Sequence, residues 1–396
     1  MIYVVIGGGA AGFFGAIACA NANPKAKVLL LEKTQKCLSK VRISGGGRCN
    51  VTHHCFEPNE LVKFYPRGHK SLRGPFHRFQ PKDTIEWFTS RNVPLKTESD
   101  GRMFPTTDNS ETIIECLMDE AKRVGVQICL GVGVKAIEKN DEGFILETTK
   151  SDNITCERLL IASGSSRPIY KLIETLGHTI IPTVPSLFTF NIPTSPLLEL
   201  SGISFDDVLI KIKGTNLTQR GPLLLTHWGF SGPAILKLSA WGARILHDMD
   251  YKATLQIDWI PEINHEKAFS LLEECKQNNL SCKIHSQNPF SIPRKLWQQF
   301  TPSMTWREFS NKNMRKLVEK LKNDPYSIDG KTTFKEEFVT CGGVDIDEVN
   351  LTTMESKICK NLYFAGEVLD IDGVTGGFNF QNAWTTSWIA GNSLSK

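Results

Sequence analysis

The chain opens on five consecutive apolar or aromatic positions, Ile2 to Ile6, with no polar residue among them. An unbroken run of this length suits a strand covered on both faces, as in a parallel sheet, rather than a half-exposed one. Small and apolar residues then continue from Ala10 to about Ala22, which predicts a closely packed helix ending at "NANPK". "KVLLLEK", Lys27 to Lys33, repeats the buried-strand pattern. The same strand-then-glycine pattern returns at "RLLIASGSSRP" (Arg158 to Pro168) and after Leu362 to Phe364. "VQICLGVGVKAIEK" and "GFILETTK" read as strands of a meander, and Phe380 to Ala390 reads as a buried helix.

The middle of the chain has a different rhythm. "HTIIPTVPSLFTFNIPTSP" carries four prolines and marks a boundary near residue 188. "FDDVLIKIKG" and "YKATLQIDWIP" alternate apolar and polar positions, as half-buried antiparallel strands do. "GPLLLTHWGFSGPAILKLSAWGARIL" between them predicts a strand, a turn and a helix. From about Ile263 to Asn323 apolar residues recur at three- and four-residue spacing, the helical period.

Composition adds exclusions. With 396 residues, 40% hydrophobic and 22% charged, the chain is an ordinary globular one with room for two or three domains. A net charge of +4 over this length gives no reason to expect a nucleic-acid or membrane-surface partner. No run of eighteen apolar residues suggests a transmembrane helix, and no basic residue precedes Lys25, as a signal peptide would require. The 11 cysteines are scattered without a C-x-x-C pair, which favours reduced thiols and a cytoplasmic protein. "CNVTHHC", Cys49 to Cys55, is the tightest group of metal-ligating types, but no second ligand pair stands at zinc-site spacing, so no metal is expected.

The chemistry enters through the glycines. Gly7, Gly9 and Gly12 form G-x-G-x-x-G between the first strand and the first helix, and Glu32 ends the next strand twenty positions after Gly12. In such a unit the first glycine permits the tight turn, the second lets the backbone approach a pyrophosphate, and the third lets helix and strand pack closely. The helix N-terminus supplies free N–H groups to the phosphates, and the acid accepts hydrogen bonds from a ribose. This pattern suits FAD or NAD. A second cluster, "KVRISGGGRCNVT", exposes backbone at Gly45, Gly46 and Gly47, flanked by Arg42 and Arg48 and followed by Asn50. Successive N–H groups of this kind make an anion-binding concavity, and a second such loop fits the longer cofactor, FAD. Ala162-Ser163-Gly164 returns a third turn towards it, and Val134 stands where such folds touch an adenine. Glu367, straight after the last strand, is placed to bind a polyol, and Gly376-Gly377 leaves room for a ring against the backbone.

The segments "SGGGRCNVT", "LTHWGFSGPAILKLS", "CGGVDIDEVNLTTMESK" and "LYFAGEVLDIDGVTGGFNFQNA" resemble the BaiN-like NAD(P)/FAD-dependent oxidoreductases, bacterial flavoproteins that include aminoacetone-oxidase-type enzymes. The likeness runs from Met1 to Gly391. It implies an α/β fold: a Rossmann-like FAD domain of the two-dinucleotide-binding type (1–188 and 338–396), an inserted β-rich, barrel-like domain (189–262 and 324–337) and a small helical domain (263–323). It implies FAD contacts from Gly7, Gly9, Ala11, Gly12, Glu32 and Lys33, then from Arg48, Val134, Gly366 and Glu367. In the Gly376–Gln381 turn it points to Gly376, Gly377, Phe378, Asn379 and Gln381, and Ala10 and Ser44 complete the cofactor set. The third glycine element departs from the family's Ala-Thr-Gly-Gly, reading Ala162-Ser163-Gly164-Ser165, and "IYKLIETLGH" replaces a glycine-rich stretch after Pro168.

Three polar residues stay open between a site and a structural role. His227 in "LTHWGFSGP" is a candidate proton donor or a hydrogen-bonded structural histidine. No second cysteine is adjacent to Cys341 in the sequence, which favours a buried thiol, and Arg102 is an anion ligand or a surface ion-pairing group. The resulting expectation is an FAD-dependent oxidoreductase that passes a hydride between flavin and a small organic substrate. NAD(P)H or O2 serves the other half-reaction, and a nicotinamide would visit transiently, because only one G-x-G-x-x-G is present. The alternatives are an FAD- and folate-dependent RNA-modifying enzyme and a non-catalytic flavin-binding protein.

Overall fold

The computed structural model describes residues 1–150, 153–332 and 339–394. They form two compact units: residues 1–186 with 339–394, and residues 187–332. The return to the first unit, expected at residue 338, lies outside the described residues.

The first unit is built on a seven-stranded sheet, five adjacent strands of which run parallel, in the order Leu362–Phe364, Arg158–Ile161, Ile2–Ile6, Lys27–Glu32, Gln127–Leu130. Two short antiparallel strands, Val349–Asn350 and Glu355–Ser356, extend one edge. The opening run is buried because it is central, with neighbours on both sides, which explains its lack of polar positions. Gln127–Leu130, read from sequence as part of the meander, belongs instead to the parallel sheet. The meander proper is Val134–Lys139, Phe144–Thr148 and Asn153–Cys156.

The first helix, Ala10–Ala22, is apolar all round because it is covered all round. The last helix, Phe378–Leu394, lies directly against it: a Cβ on Gly391 would collide with the Gly15 carbonyl oxygen. Glycine at 391 lets the two backbones approach this closely, whereas a Cβ on Gly15 would meet the Leu160 side chain at 2.7 Å. A two-stranded ribbon, Ile180–Ser186 paired with Val339–Val344, completes the unit.

The second unit holds another seven-stranded sheet, whose long strands Ser204–Ile212, Thr218–Leu225, Lys252–Asp258 and Asp324–Asp329 pair antiparallel. The helices His265–Asn278, Arg294–Phe300 and Asn311–Lys322, read from sequence as a domain of their own, share one hydrophobic core with this sheet. Trp297, Met314 and Leu317 from the helices join Ile210, Leu255 and Trp259 in it. Among the described residues no helix is long and apolar enough to cross a membrane.

Candidate functional site

The G-x-G-x-x-G turn has the geometry its spacing predicts. Gly7 takes φ +114°, and a Cβ there would strike the Ala162 carbonyl. A Cβ on Gly12 would strike the Gly7 carbonyl, so this glycine fixes the approach of helix to strand. Gly9 differs from both. It is the N-cap of the first helix, without a side-chain cap, and a Cβ on it would meet nothing within 4 Å. Its backbone therefore faces open space at a helix N-terminus, the arrangement that receives a pyrophosphate. Glu32 stands beside the turn: one carboxylate oxygen accepts the Gly8 N–H at 2.8 Å and the other accepts the Thr34 N–H and hydroxyl, each at 2.8 Å. Ala10 and Ala11 begin the first helix, next to Gly9. Lys33 and Val134 flank Gly133, whose added Cβ would lie 3.5 Å from the Lys33 Cβ.

The third turn and the C-terminal turn meet the first. A Cβ on Gly366 would lie 2.8 Å from the Ala11 Cβ, and one on Gly164 would lie 3.5 Å from Glu367 Oε2. Glu367 is held on two sides. Its Oε1 accepts the Thr340 N–H at 3.1 Å, and its Oε2 pairs with Lys40 Nζ at 2.6 Å. Lys40 is a participant that the sequence gave no signal for, since 327 residues separate it from its partner. The Ser163 hydroxyl donates to its neighbour's carbonyl, Gly164 O, at 3.3 Å.

The second glycine loop is a run of left-handed residues, Gly45 (φ +59°), Gly46 (+69°) and Gly47 (+83°), entered from the helical turn that begins at Ser39. Added Cβ atoms at Gly46 and Gly47 would again meet open space. Gly377 (φ +92°) packs against Thr52, its added Cβ 2.5 Å from that residue's carbonyl oxygen. In the orientation that satisfies both ends, the Asn50 amide donates to Thr52 O and accepts from Gly377 N, each at 3.0 Å. The glycine loop and the Gly376–Gly377 turn, more than three hundred residues apart, are thus joined.

Several predicted side chains face protein instead. Arg48 pairs with Glu98 (2.6 Å) and Asp108 (3.6 Å) and stacks over Phe104 at 4.0 Å, so its charge is already countered. The Ser44 hydroxyl donates to Val41 O. Phe378 is buried, stacked on Phe64 at 4.3 Å and on His53 at 4.6 Å. The Asn379 amide bridges the N–H and carbonyl of Gly373. Gln381 is fully buried: its carbonyl accepts the Thr52 and Thr84 hydroxyls at 2.6 and 2.9 Å, and its amide donates to Thr385. Phe378, Asn379 and Gln381 thus build the turn, leaving its backbone as the surface available to a ligand.

Arg102 forms ion pairs with Glu98 and Asp100. Burial pushes the Cys49 thiol up to about 12, so at neutral pH it is protonated. Cys341 is buried in the ribbon. His227 belongs to the second unit, where it is exposed with its ring edge-on to Trp228 at 4.3 Å.

Parallel strands, three glycine turns converging on their C-terminal ends and an acid at the second strand define a Rossmann-type FAD-binding fold. The chain matches the HI0933-like protein Rossmann domain over residues 2–393 and belongs to that family of flavoprotein oxidoreductases. It is similar to the ribosomal RNA dihydrouridine synthase of Escherichia coli K12, at 29% identity over 99% of this chain and 97% of that one. It is also similar to the 3-dehydro-bile acid delta(4,6)-reductase of Clostridium scindens, at 28% identity over 99% and 98%. In fold it resembles the 3-ketosteroid-delta4-(5alpha)-dehydrogenase of Rhodococcus jostii, with TM-score 0.53, 14% identity, and 100% of this chain and 96% of that one covered.

Proposed function

We propose that this protein is an FAD-dependent reductase of a carbon–carbon double bond conjugated to a carbonyl, drawing its electrons from NAD(P)H. The observation that carries the cofactor is the open space at Gly9, Gly46 and Gly47, each of which has backbone free of neighbours where a Cβ would otherwise stand. Gly9 and the N-terminus of the first helix would hold the pyrophosphate, and Glu32 the adenosine ribose. Gly164 and Glu367 would hold the polyol chain, and the backbone of Gly45–Gly47 and Gly376–Gly377 the ring. Bound flavin supplies hydride transfer at its ring.

The substrate class rests on what the names of two relatives have in common. Dihydrouridine is uridine with two hydrogens added across a ring double bond beside a carbonyl. A delta(4,6) pair of double bonds next to a 3-keto group is the same electronic arrangement. In the reaction proposed for this chain, a hydride adds to the carbon remote from the carbonyl and a proton to the nearer one, while NAD(P)H becomes NAD(P)+. The sequence's candidate for that proton is His227, exposed on the second unit.

Anaerobic stopped-flow tests the reading. NADH or NADPH should bleach the flavin, and a conjugated enone or a uridine-containing acceptor should restore its colour faster than dissolved O2 does. Reoxidation by O2 alone would make the protein an oxidase. Absence of bleaching by either nucleotide would remove the reductase reading.

A further inference from the structure

The chain's positive charge is not spread over it. Residues 187–332 hold eighteen Lys and Arg against fourteen Asp and Glu, the whole of the net +4, and the remainder of the chain is balanced at 28 of each. Within the second unit the excess is tighter still. Residues 276–322 carry ten basic side chains and two acidic ones. A sum over the whole chain conceals this, and with it the ground for expecting no nucleic-acid partner.

The helix Asn311–Lys322 shows how the excess is displayed. Met314, Leu317, Val318 and Leu321 are buried on one face. Lys312, Arg315, Lys316 and Lys320 are exposed on the other, at i, i+3, i+4 and i+8. Among the described residues Lys312, Arg315 and Lys316 have no carboxylate within ion-pairing distance. Glu319, the one acid on this face, faces His265 at 3.5 Å and accepts from Asn323. Like charges at i and i+4 repel and weaken a helix by a few tenths of a kcal/mol per pair. Helix surfaces commonly relieve this with interspersed acids; here the single acid, Glu319, makes no ion pair with Lys312, Arg315 or Lys316 among the described residues. The stripe extends beyond the helix: Lys320 lies over Phe300 at 4.5 Å, at the end of the helix whose exposed start carries Arg294 and Lys295.

We infer that this basic face of the second unit is a docking surface for the phosphate backbone of structured RNA. The apolar residues of the helix are all committed to the core, so nothing on this face would insert into a lipid surface as membrane-binding amphipathic helices do. Exposed amides (Asn311, Gln298, Gln299) accompany the cations and supply hydrogen bonds to phosphate and sugar oxygens. The inference deepens the reductase reading by making its substrate a uracil base carried in RNA. It rests on that reading for the chemistry alone, because binding at this face needs no flavin.

The test uses the full-length protein and protein-free ribosomal RNA from Escherichia coli, with binding followed by filter retention or gel shift at increasing salt. The wild type should bind and weaken steeply with salt. The double variant Lys312→Glu/Lys316→Glu should bind about tenfold or more weakly, with its log–log salt slope reduced by about 2, roughly one per lost phosphate contact. Its flavin content should match the wild type's, which shows it folded. A control of equal charge change on the first unit, Lys70→Glu/Lys82→Glu at two exposed positions, should bind nearly as wild type. Equal loss in both doubles, undiminished binding by the stripe variant, or retention on phosphatidylglycerol vesicles without RNA binding would each overturn the assignment. Loss of flavin with intact, stripe-dependent RNA binding would overturn the reductase reading and leave this one standing.

Discussion

Lys40 Nζ lies 2.6 Å from Glu367 Oε2, a pairing that ties the approach to the second glycine loop to the turn after the last parallel strand. The lysine is half exposed and the glutamate mostly buried, with side-chain exposures of 51% and 21%. The ammonium therefore contributes little energy by itself, about 0–1 kcal/mol for a pair this open, and acts chiefly to orient the carboxylate. Glu367→Ala should weaken FAD binding about 10- to 100-fold, the cost of losing hydrogen bonds to a charged acceptor. Lys40→Met should weaken it less than about tenfold. Equilibrium dialysis of the apoprotein with FAD measures both, and a larger effect from the lysine would reverse the order of importance.

Two glycines of one motif should fail in different ways. Gly9 has an ordinary φ of −91° and free space where its Cβ would stand. Gly9→Val should fold and lack colour. Gly12→Val drives a side chain into the Gly7 carbonyl and should not give soluble, folded protein. Circular dichroism and visible absorbance on the two variants separate these outcomes, and a yellow Gly9→Val protein would refute the pyrophosphate assignment.

Gln381 holds together three threonine hydroxyls that have no water to turn to. Gln381→Leu strands the Thr52 hydroxyl and leaves that of Thr84 only the Gln80 carbonyl at 3.4 Å, and should cost about 1–3 kcal/mol of stability by urea denaturation. FAD affinity, measured where the variant is fully folded, should change less than about threefold, since the side chain faces the core. Normal stability with lost affinity would restore Gln381 as a ligand.

His227→Gln should slow reoxidation of the reduced protein by a conjugated acceptor by about 100-fold, within the range for loss of a general acid. Flavin content and bleaching by NAD(P)H should stay unchanged. Unaltered reoxidation would return His227 to a structural role.

His178 sets a pH dependence. Its Nδ1 lies 2.9 Å from Glu348 and its Nε2 2.7 Å from the Ser356 hydroxyl. Burial lowers its proton affinity below the ordinary 6.5, and Glu348 only partly opposes this. The unfolded chain then takes up the proton first as pH falls. The stabilisation is therefore complete above 6.5 and is lost progressively below it. Between about pH 8 and pH 5.5 the urea midpoint should fall further for the wild type than for His178→Gln. Parallel curves would show that His178 does not titrate differently in the fold.

The strands, the first helix and the G-x-G-x-x-G turn were legible because each is written in neighbouring residues. A strand buried on both faces has no polar positions, and a helix packed on all sides has no polar stripe. Gly7, Gly12 and Glu32 stand where spacing alone puts them. Asn379, Gln381 and Arg48 were harder, because a polar side chain at the end of a glycine turn reads the same whether it meets a ligand or closes a hydrogen bond in the core. What decides is the partner, and the partners here (Gly373, Thr84, Glu98) are remote in sequence or carry no signature of their own. Lys40 escaped for the same reason. The helices of 265–322 follow the helical period closely, yet nothing in that period says that their apolar faces complete the core of a sheet.

The packing of Gly15 against Gly391 has a consequence for how the chain is made. The first helix is apolar on every side, and part of its cover is the last helix. At a synthesis rate of roughly 5–20 residues per second, that cover arrives about 20–80 seconds after the first helix leaves the ribosome. Residues 187–332 are contiguous and have a core of their own, so they are free to fold in the interval. The nascent nucleotide-binding half waits with an uncovered helix and four of its five parallel strands, so its apolar surface stays exposed for that interval.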